Sequence, residues 1–167
     1  MRPPRLPTTT SRSSASSARA RALRLLAARP RTEAQIRERL VQAGFADEVE
    51  GVVAWLKDLR YLDDAAFARD RAAGLVAPGR LGPRMAERRL VAAGIPREAA
   101  RRAVEEALGD DEVSRCRTLA ERRARGSPAA LDDRGKSRLS RFLLGRGFSG
   151  RAVSAALGVY VDDAEDR

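Results

Sequence analysis

Histidine is absent from the 167-residue chain and cysteine occurs once. The first absence removes Ser-His-Asp and Cys-His catalysis in their usual forms, together with the commonest metal ligand. A lone Cys116 can form neither an internal disulfide nor a zinc or iron–sulfur site, which fits a reducing, cytoplasmic setting. Aromatic residues make up only 4%. The interior must therefore be aliphatic, with Trp55, Phe67 and Phe142 as its larger anchors. No apolar run is long enough to cross a bilayer, and residues 1–16 lack the apolar segment of a secretory signal. No segment alternates apolar and polar residues for long enough to read as a strand. Lysine is nearly missing: of 33 basic residues only Lys57 and Lys136 are not arginine. Gly145-Arg146-Gly147 has no following Lys-Ser/Thr with which to hold a nucleotide.

Two further candidates for chemistry reduce to structure. Asp63-Asp64 and Asp132-Asp133 are paired carboxylates able in principle to hold magnesium, but each precedes a predicted helix, where a carboxylate caps free N–H groups. Cys116 stands at helical spacing with Val113 and Ala120, a core position rather than a nucleophile's. The expectation is a protein that is not an enzyme, with no cofactor and no metal.

What is present is a repeat. Thr32 to Phe45, Gly82 to Ile95 and Gly135 to Phe148 align without a gap. Ile36, Ala86 and Leu139 match, as do Leu40, Leu90 and Leu143, then Val41, Val91 and Leu144. Each copy ends in glycine plus an apolar residue, Gly44-Phe45, Gly94-Ile95 and Gly147-Phe148, with the glycines 50 and 53 residues apart. A near-constant period of this size marks an internal repeat.

Helical signals fill each period. Ala22, Leu25 and Leu26 share one face of a first helix that Arg29-Pro30 ends. Thr32 and Gln35 form a capping box for the second. Val49, Val52, Val53 and Leu56 give the third, over about 47–59, an amphipathic stripe, with Trp55 packing beside it. In the next period Asp63 or Asp64 caps a helix lined by Ala68, Ala72, Leu75 and Val76, and Pro78-Gly79 breaks the chain. Gly82-Pro83 opens the following helix with proline in its first turn. From Pro96 a third helix buries Ala100, Ala103, Val104 and Ala107 and pairs Arg101 with Glu105 and Arg102 with Glu106. In the last period Val113, Cys116 and Ala120 face inward, Gly126-Ser127-Pro128 is a loop, and Val153, Ala156, Leu157 and Tyr160 line the final helix.

The expected fold is all-α: three tandem three-helix repeats forming an elongated, curved helical array. Its divisions are a disordered basic tail over 1–16, repeats over 17–62, 63–109 and 110–158, and an acidic tail over 159–167 carrying Asp162, Asp163, Glu165 and Asp166.

Tyr61-Leu62-Asp63-Asp64, Phe67-Ala68, Gly82-Pro83 and the ending Leu90 to Gly94-Ile95 resemble the RecX family, regulators of the RecA recombinase. The resemblance covers roughly residues 18–158. Arg60 departs from it, standing where the family often has glycine. The resemblance implies a non-catalytic cytoplasmic monomer that binds the RecA filament on single-stranded DNA, lowers its ATPase and strand-exchange activity and limits its growth.

Charge suggests where binding occurs. The chain carries a net +10. The abundance of alanine beside arginine points to a GC-rich coding sequence as the reason for Arg over Lys, but that does not require the net charge. From Arg115 to Arg151 eleven basic residues stand against Glu121, Asp132 and Asp133. Arg84 and Arg88 lie one turn apart opposite Ala86 and Leu90, with Arg80 and Arg89 near them, and Arg138 and Arg141 lie on the aligned helix of the third repeat. These six arginines are the candidate partner-binding residues, meeting either acidic protein surface or DNA phosphates. The alternative reading is a helix-turn-helix-like DNA-binding protein. The exposed residues of the equivalent helices (Ala34 and Glu38, Arg84 and Arg88, Ser137 and Arg141) differ too much to mark a shared recognition helix.

Overall fold

Every copy of the repeat ends in the same hydrogen-bonded turn. Phe45 N donates to Leu40 O at 3.0 Å, Ile95 N to Leu90 O at 3.1 Å and Phe148 N to Leu143 O at 3.3 Å. Each glycine just before donates to the carbonyl of Val41, Val91 or Leu144, and the three glycines have φ of +85°, +93° and +90°. This is the Schellman turn: glycine takes the left-handed conformation, and the apolar residue after it folds back on the leucine whose carbonyl it caps. The consensus of leucine, then glycine, then an apolar residue is thus a helix stop written three times.

In the computed structural model, which describes residues 10–109 and 111–158, the helices are α1 (Thr10–Ala28), α2 (Glu33–Gln42), α3 (Val49–Asp58), α4 (Asp64–Leu75), α5 (Pro83–Ala92), α6 (Arg97–Leu108), α7 (Glu112–Ala124), α8 (Asp133–Gly145) and α9 (Gly150–Leu157). Short 3-10 turns at Ala46–Glu48 and Pro128–Ala130 precede α3 and α8. No strand occurs among the described residues. The helices fall in threes, one set per repeat. Ile36 and Leu40, Ala86 and Leu90, Leu139 and Leu143 are all buried, at 5% exposure or less. The acidic tail and Tyr160 lie outside the described residues, as does the tail over residues 1–9.

Two local expectations need correction. Helix α1 begins at Thr10, inside the stretch expected to be a disordered tail. After Pro7 no proline or glycine interrupts that stretch, so the helix seeded by the buried Ala18 and Ala22 extends toward the N-terminus. Helix α8 starts at Asp133, and the Asp132 carboxylate caps it as expected of that pair, accepting from Gly135 N at 2.7 Å. The reciprocal half of the Thr32–Gln35 box is not made. Thr32 Oγ1 accepts from Gln35 N at 3.2 Å, but Gln35 Oε1 is buried without a hydrogen-bond partner. Asp64 instead supplies the second cap of α2, its Oδ1 accepting from Glu33 N at 2.9 Å, while its neighbour Asp63 caps α4 through Ala66 N at 2.8 Å.

The chain divides after Phe67 into two compact units. In the first, α1, α2 and α3 enclose Ala18, Ala22, Ile36, Leu40, Val49, Val52, Val53, Leu56 and Leu62, with Phe45 and Trp55 packed against them. A charged clasp joins α2 to α3: Lys57 Nζ lies 2.8 Å from Glu33 Oε1, and Arg37 lies 3.1 Å from Glu33 Oε2 and 2.9 Å from Glu50 Oε1. The hydrogen bond from Lys57, aided by Arg37, holds the Glu33 carboxyl below the ordinary range. Its stabilisation is therefore present above the unfolded glutamate value of about 4.3 and lost as pH falls through the lower folded value. Asp64 acts in the opposite sense, since desolvation raises its carboxyl and ionisation opposes folding there. Replacing Glu33 with glutamine should flatten the loss of thermal stability on acidification; an unchanged acid limb in melting temperature against pH would dismiss the clasp.

Helix α3 ends in a fourth Schellman turn, with Tyr61 N on Leu56 O at 2.9 Å and Arg60 N on Lys57 O at 2.8 Å. Here the left-handed residue is Arg60, φ +56°. A side chain in that conformation crowds its own carbonyl, so Arg60→Gly should raise stability by up to about 1 kcal/mol. Urea unfolding reads this directly, and a destabilised glycine variant would refute it.

In the second unit the second and third repeats are locked by backbone. Gly82 N donates to Arg146 O at 2.9 Å and Arg84 N to Gly147 O at 3.1 Å, so the unused carbonyls ending α8 receive the unused N–H groups opening α5. The approach is close: a Cβ on Gly82 would sit 2.3 Å from Gly147 C, and one on Gly147 would sit 2.4 Å from Met85 N. A second tie comes from α7, where Arg115 Nη1 donates to Val76 O at 2.6 Å and Nη2 to Ala107 O at 3.2 Å, holding the chain after α4 and the end of α6 together. The third repeat has its own core of Cys116, Leu119, Ala120, Leu139, Leu143, Phe148, Ala152, Val153 and Leu157.

Candidate partner-binding surface

Helix α5 presents the first cluster. Gly82 leaves its entrance open to the α8 carbonyls, Pro83 occupies the first helical position, and Ala86 and Leu90 are buried. At 3.6 residues per turn Arg84 and Arg88 must then face outward, and both are exposed. With Glu87, Val91 and Ala92 of α5, and Arg97, Glu98 and Arg101 of α6, they line a groove of about 820 Å³. Val91 remains 43% exposed, which gives the groove an apolar strip between four arginines and two glutamates. Arg101 is tethered, its Nε 2.8 Å from Glu105 Oε1, whereas Arg102 makes no ion pair with Glu106.

The other candidate arginines are distributed. Arg80 is exposed and donates to Gly74 O at 3.3 Å, beyond the last turn of α4. Arg89 is exposed in the last turn of α5, where a cation suits the helix dipole, and does not line the groove. Arg138 and Arg141 are exposed on α8. Arg138 lines a separate depression of about 230 Å³ with Arg123, Ala124, Leu131, Gly135, Leu139 and Phe142. The structure therefore brings Arg84 and Arg88 together and places Arg138 in a second concavity of the same unit. Periodicity gave no sign of Arg97 or Arg123 because each comes from a neighbouring helix.

The candidate catalytic groups resolve into packing and caps. Cys116 is fully buried, and desolvation pushes its thiol up to about 12, so it is protonated and inaccessible at neutral pH. Asp63, Asp64 and Asp132 all cap helices. Among the described residues no three His, Cys, Asp or Glu side chains converge as a metal site, and no helix is long and apolar enough to cross a membrane.

Comparison with known proteins places this architecture. The model of the first three-helix domain of RecX matches residues 18–56, and that of the third three-helix domain matches residues 110–157. The chain is 32% identical over 154 residues to the regulatory protein RecX of Chlorobaculum tepidum, covering 91% of this chain and 93% of that one. It is 36% identical over 135 residues to the regulatory protein RecX of Syntrophotalea carbinolica, covering 77% and 86%. The crystal structure of RecX from Lactobacillus salivarius superposes with a TM-score of 0.76 at 21% identity, covering 87% of this chain and 96% of that chain, and so shares the fold.

Proposed function

The chain belongs to the RecX family of regulatory proteins, and from that membership we propose that it binds the RecA recombinase filament on single-stranded DNA and restrains it. The observation that carries the reading is likeness to regulatory RecX proteins along nearly the whole chain, from the first repeat through the third. The action is non-catalytic and cytoplasmic. Binding slows ATP hydrolysis and strand exchange and limits filament growth. We take residues 17–62, 63–109 and 110–158 as successive modules, so that weak contacts by separate modules add through effective concentration. Arg80, Arg84, Arg88, Arg89, Arg138 and Arg141 are the contact residues, with the α5–α6 groove at the centre. Its mixed charge and apolar strip suit a protein surface carrying acidic and aliphatic side chains.

The test is RecA-dependent ATP hydrolysis on single-stranded DNA. Sub-stoichiometric protein should slow hydrolysis and show no ATPase or nuclease activity alone. The double variant Arg84→Glu, Arg88→Glu should bind filaments at least about tenfold more weakly, by analogy with centrally placed interface arginines. Its melting should barely change, because exposed charges contribute little to folding. No effect of the parent protein at micromolar concentration on the cognate recombinase would sink the reading and favour a helix-turn-helix-like DNA-binding protein. Equal filament binding by parent and double variant would leave these arginines as solvated surface.

A further inference from the structure

The depression between α7 and α8 differs in kind from the α5–α6 groove. Glutamates line the groove, whereas the depression is lined only by Arg123, Arg138 and apolar groups: Ala124, Leu131, Gly135, Leu139 and the Phe142 ring. Phe142 is half-buried, and two guanidiniums lie against its ring, that of Arg146 at 4.9 Å and that of Arg123 at 5.4 Å from the centroid. Arg123, Arg138 and Arg146 are all exposed, and none has a carboxylate partner among the described residues. The nearby Asp132 carboxylate is engaged by Gly135 N at 2.7 Å. The site thus joins net positive charge, three arginines against the Asp132 carboxylate at its rim, with an apolar floor and an aromatic ring. At about 230 Å³ it is smaller than the roughly 300–1,000 Å³ typical of pockets that enclose a whole ligand.

That combination matches one chemistry. A carboxylate-rich protein segment would satisfy the arginines but leave the apolar floor unfilled. A duplex would satisfy them with phosphates while keeping its bases stacked inside. An unpaired strand supplies both parts, a flat apolar base beside two phosphates. We propose that this depression is a stacking site for one base of a single-stranded nucleic acid, packed against Phe142 and its guanidinium neighbours, with Arg123 and Arg138 on the flanking phosphates. No side chain lining it can read a base edge except those two arginines, so recognition is tolerant of sequence. The inference shares Arg138 with the filament surface proposed above, but its test contains no recombinase, so either reading can fail alone.

The full-length protein is titrated into a short fluorescein-labelled oligo-dT and followed by anisotropy, at several salt concentrations. The parent should bind, with affinity falling steeply as salt rises. Arg123→Gln with Arg138→Gln should weaken binding and make the salt dependence shallower by about 0.7 for each phosphate no longer neutralised. Phe142→Leu keeps an apolar side chain over the core and should weaken binding about tenfold without changing the salt slope. An oligonucleotide of the same length with abasic sites is the independent arm, needing no variant that must fold. The parent should bind it more weakly than oligo-dT, and Phe142→Leu should no longer distinguish the two strands. Equal affinity of the parent for abasic and normal strands would overturn the stacking site and leave a non-specific cationic surface. Absence of oligonucleotide binding by the parent would equally overturn it.

Discussion

Replacing Leu90 with aspartate is expected to abolish the cooperative melting of the second unit. Leu90 is fully buried, and its carbonyl receives Ile95 N at 3.1 Å in the turn that ends α5. The substitution removes a buried leucine, worth about 2–5 kcal/mol, and puts an unpaired carboxylate in its place. Together these approach the whole stability of a small domain, about 5–15 kcal/mol. The damage should not stop at α5. Because the first turn of α5 is bonded to Arg146 and Gly147, the third repeat is left uncovered on that side when α5 melts. Hydrogen exchange read by mass spectrometry should show protection vanishing over 83–108 and falling over 133–157, with α2 and α3 in the first unit retaining theirs. A variant that melts like the parent would show that Leu90 does not hold the position assigned to it.

Gly147→Ala should cost about 2–4 kcal/mol, and the same change at Gly44 only about 1–2 kcal/mol. Both glycines end a helix in the left-handed conformation, at φ +90° and +85°. They occupy equivalent positions in the repeat, so the backbone penalty is shared. Their surroundings differ. A methyl at Gly44 meets nothing within 4 Å, while one at Gly147 meets Met85 N at 2.4 Å and Met85 Cβ at 2.6 Å. The nearest of these atoms is backbone, which cannot swing aside, so α5 and α8 must part and the bonds from Gly82 N and Arg84 N must lengthen. Urea unfolding of the two variants measures the difference. Equal destabilisation would mean that the meeting of α5 and α8 is compliant and contributes nothing beyond the turn itself.

The all-α class, the number of repeats and the buried pairs were legible because each is encoded within one helix or one turn. Leucine four residues before glycine, then an apolar residue, specifies a helix stop whose hydrogen bonds close over six residues, so no distant part of the chain has to be known. The inward positions followed from the 3.6-residue period, and the exposure of Arg84 and Arg88 followed from that of their buried neighbours. Local reasoning went astray where the deciding partner was far away in sequence. Thr32 and Gln35 have the spacing of a complete capping box, but the second cap of α2 comes from Asp64, thirty-one residues beyond the Glu33 N–H that it accepts from. Gly82 and Gly147 read as a helix start and a helix stop. Only the folded chain shows that they face each other, and that the glycine is required because two backbones approach closer than a methyl group allows. The candidate surfaces divide in the same way. A sequence identifies which arginines leave the core, since that depends on the helix they belong to. Which arginines share a concavity, and whether glutamates or a phenylalanine lie beside them, depends on packing between helices dozens of residues apart, and the tertiary structure alone decided it.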